Sequence, residues 1–101
     1  MSKWDVRPGW KYAAYVSTED DRGDGRCALT VIHHAPSYSG EADEVVLERT
    51  LSTTVNDYDY VGRAVTEAEQ ILRREGFRPA DGYRFAWEGF NHGEMANVVP
   101  Q

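Results

Sequence analysis

Hydrophobic and polar positions alternate along most of the first half of the chain. In WKYAAYVST, residues 10–18, Trp10, Tyr12, Ala14 and Val16 fall on one face, and Lys11, Ala13, Tyr15 and Ser17 on the other. CALTVIHH, residues 27–34, repeats the pattern, with Cys27, Leu29, Val31 and His33 opposed to Ala28, Thr30, Ile32 and His34. The Asp- and Gly-rich stretch 19–26 between them predicts a hairpin turn. A loop over 35–43 leads to a third strand over 44–53. There Val45, Leu47, Arg49 and Leu51 are expected on one face and Val46, Glu48 and Thr50 on the other.

The period then changes. In DYVGRAVTEAEQILRREGF the apolar residues Val61, Ala64, Val65, Ala68, Ile71 and Leu72 recur every three or four positions, the stripe of an amphipathic helix. Asp57 or Asp59 is expected to cap its start through a carboxylate. Arg73 and Arg74 suit the negative end of the helix dipole. Gly76 supplies the left-handed stop, Phe77 folds back on Leu72, and Pro79 prevents continuation. Alternation resumes in GYRFAWEGF, residues 82–90, which predicts a fourth strand with Tyr83, Phe85 and Trp87 on the core side. Asn91-His92-Gly93 reads as a turn, and residues 94–99 as a short fifth strand returning along the fourth.

The order β-β-β-α-β-β predicts an α+β fold, an antiparallel sheet of four to five strands with one helix packed on one face. One stripe covers one face. The expected helix side carries Tyr12, Leu29, Val31, Leu47, Phe85 and Trp87. The other face, carrying Tyr15, Ile32, His34, Val46, Arg84 and Phe90, is then left open. An apolar patch of that kind on a small domain points to protein contact, either a second copy in a homodimer or a partner.

At 101 residues the chain reads as a single globular domain over 1–101. Its net charge of −6 works against non-specific phosphate binding, which depends on Lys and Arg. The N-terminal MSKWDVRPGW has no apolar signal core, and no apolar run approaches the length of a membrane span. A cytoplasmic location and no membrane partner are therefore expected.

Candidate chemistry narrows this further. Cys27 is the single cysteine, so neither an intrachain disulfide nor a thiolate zinc cluster can form, and Cys27 reads as a small buried residue. On a regular strand His33 and His34 point to opposite sides, and nothing in the sequence brings them together with His92 and Glu94; no metal is expected. The acidic loop from Asp20 fails the calcium-loop pattern, with Arg22 at its third position and Val31 at its twelfth. There is no nucleophile elbow and no phosphate-cradling loop, so no catalytic residue and no cofactor are assigned.

DGYRFAWEGF resembles the aromatic strand of RNA-recognition motifs at Gly82, Tyr83 and Phe85. It departs from that pattern at Asp81 and Glu88, and the order of elements differs. The leading expectation is a non-enzymatic interaction or regulatory module acting through the open face. The alternatives are single-stranded nucleic-acid binding by the same face through Arg84, His34 and the aromatics, and a small enzyme or accessory subunit with a site near His33 and His34.

Overall fold

A β-hairpin begins the sheet, and every later strand is added antiparallel to it. The computed structural model describes residues 3–18, 24–90 and 92–101; residues 19–23 of the acidic loop and Asn91 of the final turn lie outside the described residues. Strands β1 (Lys11–Ser17), β2 (Arg26–His34) and β3 (Glu44–Thr54) are followed by helix α1 (Tyr60–Arg74) and by β4 (Phe77–Pro79), β5 (Glu88–Phe90) and β6 (Gly93–Pro100). They form a six-stranded sheet in the order β3-β2-β1-β6-β4, with β5 also paired to β6. The α+β architecture, with one helix on one face, is the one the periodicity predicts.

The register shows which side chains share a face. Tyr12 pairs with His33, Ala14 with Val31 and Val16 with Leu29, and all six are buried. Across β6 the same face continues through Ala96 and Val98. The helix lays Ala64, Ala68 and Leu72 onto this surface, where Leu47, Leu51, Phe77 and Phe85 complete the core. Small alanines at the contact let the helix approach the sheet closely, while Phe77, Leu29, Leu51 and Leu72 are the largest apolar side chains that are fully buried.

Three local features differ from the sequence reading. First, Val31 pairs with Leu47 but Ile32 with Val45, so Val46 is an extra residue in β3. This bulge reverses the alternation. Val46, expected on the open face, packs against the core, while Val45 is 57% exposed opposite Ile32.

Second, Asp59 does occupy the helix N-cap, but in the left-handed region (φ 51°) and without a side-chain capping bond. Its carboxylate lies against Gly62, where an added Cβ would come within 2.8 Å of it. A glycine in the first turn therefore gives that carboxylate room. Asp57 instead accepts the Thr54 N–H (2.9 Å) in the preceding turn. The C-terminus follows expectation: Gly76 is left-handed (φ 96°) and its N–H meets the Arg73 carbonyl.

Third, the strand expected over 82–90 is confined to β5. Strands β4 and β5 lie end to end on the same edge of β6, paired with residues 98–100 and 93–95 respectively. Past the Ala80 N–H, which still donates to the Asn97 carbonyl of β6 (3.2 Å), residues 81–87 join no ladder and loop outward. Tyr83, expected in the core, is 95% exposed. Phe85 and Trp87 do turn toward the helix: Phe85 is buried beneath Arg73, and the Trp87 indole N–H donates to Glu69 (2.8 Å).

The segment before β1 is built into the fold. Trp4 stacks on Phe77, its indole N–H donates to the Glu75 carbonyl (2.6 Å), and Lys3 pairs with the Glu75 carboxylate. Lys3, Trp4, Phe77, Tyr12, His33, Trp10 and Arg7 form one continuous ladder of ring and cation contacts.

Candidate functional site on the open sheet face

The face away from the helix is assembled from alternate residues of the same strands. Tyr15 stands at its centre on β1, paired with Thr30 of β2 and Met95 of β6. Phe90 on β5 meets it edge-on, with ring centroids 5.6 Å apart. On the other side the Tyr15 hydroxyl lies 2.8 Å from His34 Nε2. His34 Nδ1 is 2.8 Å from Asp43 Oδ2, and Asp43 Oδ1 accepts the Ala35 N–H at 2.8 Å.

The partners set the direction of these bonds. The Ala35 N–H, and after it His34, hold the Asp43 carboxyl below its ordinary range, so Asp43 accepts only. Nδ1 must then carry a proton. Burial, with Asp43 adding to it, pushes the Tyr15 phenol up, so it stays protonated at neutral pH. With that proton on Nδ1, Nε2 is the acceptor for the Tyr15 O–H. The chain Tyr15–His34–Asp43 thereby fixes two side chains of the face and ties the end of the 35–43 loop to the sheet. A network of this kind removes rotamer freedom before any partner arrives.

Of the residues singled out from the sequence, Tyr15, Ile32, His34 and Phe90 come together on this face. Val46 does not, because of the bulge, and Val45 takes that position. Arg84 lies on no strand. The 80–87 loop carries it to a small hollow that it shares with Glu88, Met95 and Asn97 on the open side. Sequence reasoning missed Asp43, placed in a loop, and Met95, whose strand pairing was open. The signal for Asp43 was its proximity to the start of β3, where a carboxylate can reach back to the end of β2.

His33 takes no part in this site. It is 2% exposed on the helix side, stacked on Tyr12 with ring centroids 3.9 Å apart. Burial, with Arg7 adding to it, lowers its pKa and keeps the imidazole neutral. Among the described residues no group of three or more His, Cys, Asp or Glu is placed to hold a metal ion. Cys27 is fully buried, and burial, followed by Glu67 and Asp57, pushes its thiol up. A thiol of that kind is a poor nucleophile.

A cleft of about 490 Å³ lies at the ends of the strands, lined by Arg7, Trp10, Tyr12, His33, Asp81 and Pro100 among others, and it does not include Tyr15 or His34. Among the described residues no helix is long and apolar enough to cross a membrane. Compared with known proteins, the chain matches no family model, no curated protein and no solved structure.

Proposed function

We propose that this chain is a small non-enzymatic interaction module that docks a protein through its open sheet face. The observation that carries this reading is the composition of that face. Tyr15, Phe90, Ile32, Val45 and Met95 form an apolar and aromatic surface that the single helix, on the opposite side, does not cover. Tyr15 is held by ring contacts and by the His34–Asp43 network. Rigid aromatic anchors with a polar rim are what interface centres use, because they bury much area for little lost freedom.

Nucleic-acid binding is the weaker reading of the same surface, since Glu48 and Glu88 stand at its two edges. Replacing Tyr15 or Ile32 with Glu is expected to abolish assembly or partner capture while the circular dichroism spectrum and melting transition persist. If both variants keep the wild-type mass in solution and the wild-type partner, the open face is not the docking surface.

A further inference from the structure

The register of the sheet sorts the open face into rows. One row runs Glu48, Thr30, Tyr15, Met95, Glu88 across β3, β2, β1, β6 and β5. The next runs Val45, Ile32, Ala13, Asn97. The third holds His34 and Lys11, and at the same level of the other sheet edge Val99 and Arg78. The first row is acidic at both ends. The third carries the exposed cations Lys11 and Arg78. Between them Val45, Ile32, Ala13 and Asn97 carry no charge; in the β4–β5 column this level belongs to the 80–87 loop, whose Arg84 lines a hollow with Asn97 and Glu88.

This arrangement is complementary to itself under one rotation. A two-fold axis along the Val45–Ile32–Ala13–Asn97 row lays the first row of one copy over the third row of the other. Strands β4 and β5 occupy the same column beside β6, so Glu88 of each copy then meets Arg78 of the other. On β1, Tyr15 meets the Lys11 ammonium, a cation over an aromatic ring. On β6, Met95 meets Val99. At the β3 edge alone the match is poor, because Glu48 faces Asp43.

Building on the docking role assigned to this face, we infer that its occupant is a second copy of this chain, packed face to face about that axis. The same patch on both partners, with each contact made twice, is what an isologous dimer requires. The two Glu88–Arg78 pairs set orientation, and Val45, Ile32 and Ala13 of the middle row exclude water between the copies. The Glu48–Asp43 repulsion is weakened by the bonds Asp43 already accepts from Ala35 and His34.

Charge exchange tests this directly by sedimentation equilibrium, with circular dichroism to confirm folding. The wild type is expected to dimerise. Arg78→Glu or Glu88→Arg alone is expected to weaken self-association about a hundredfold, since each substitution sets two like-charged pairs against each other. The double variant R78E/E88R is expected to restore the dimer, and Glu48→Lys to tighten it. Failure of the double variant to recover, or single variants that dimerise as well as the wild type, overturns the proposed packing. A wild type that stays monomeric at millimolar concentration overturns the second copy as occupant and leaves the face to a different protein. A dimer that survives Tyr15→Glu as well as the charge reversals overturns both the packing and the docking role of the face.

Discussion

His33 and His34 are neighbours in sequence with opposite circumstances, and a strand's period of two is the cause. His34 is bonded at both nitrogens on the open face. His33 is enclosed between Tyr12 and Trp10. The His33 pKa is lowered from 6.5 in the folded chain, so below that value the unfolded chain binds the proton first. Stability is therefore complete above pH 6.5 and declines as the pH falls below it. The depressed carboxyls of Asp43, Glu67 and Glu75, with ordinary values of 3.8 and 4.5, lose their contributions only at lower pH. Thermal melts between pH 7.5 and 5 stay above the carboxyl range, and comparison with His33→Phe, which keeps a ring in the stack, singles out His33: the variant is expected to flatten that dependence. Gly93 sets a second constraint of this size. A Cβ there would collide with the Val16 carbonyl, where β6 begins its pairing with β1 opposite Ser17. Gly93→Ala is expected to cost about 2 kcal/mol or more, read as a fall in melting temperature.

At the level of elements, the long edge strand β3 shows how the helix and sheet hold each other. The outward N–H groups of Ser52 and Thr53, and the Thr53 hydroxyl, all donate to the Glu67 carboxylate of α1 (2.8, 3.1 and 2.9 Å). This occupies donors near the end of an edge strand that would otherwise be free to recruit another strand. Burial pushes the Glu67 carboxyl up, but the bonds from Ser52 and Thr53 outweigh it and leave the pKa lowered. Its contribution is present above 4.5 and lost as the pH falls through the depressed value. Glu67→Gln keeps the shape and removes the charge. The expected loss is about 1–3 kcal/mol in denaturant unfolding at pH 7, since hydrogen bonds to a charged group are the strong ones. The N-terminal segment works in the same way at the other end of the helix, joining Lys3 and Trp4 to Glu75.

For the whole molecule, the central fact is an asymmetry of cover. The helix, the N-terminal segment, and Phe85 and Trp87 of the 80–87 loop serve the same side of the sheet, while Arg84 of that loop borders the other. The opposite side keeps Tyr15, Ile32 and Phe90 at its surface. If the open face docks a protein, Ile32→Glu should act on assembly with little effect on the monomer. Ile32 contributes to no core contact with the helix, whereas the same change at Val31 should unfold the chain. Comparing the two neighbours by solution mass and by melting temperature separates an interface role from a structural one.

Much of this was legible from periodicity. The hairpin of β1 and β2, the helix with its Gly76 ending, and the separation of the two histidines follow from backbone geometry that acts over a few residues. What the sequence could not reveal depended on contacts between distant segments. The bulge at Val46 appears only when β3 is set in register against β2. Residues 82–87 alternate like a strand but have no edge to pair with, because β4 and β5 divide the outer edge of β6 between them. Asp43 becomes part of the open face because the chain returns to β3 beside His34. Local sequence thus determined which faces exist. Pairing of distant strands decided which residues each face displays, since a slip of one residue in register sends every following side chain to the other side.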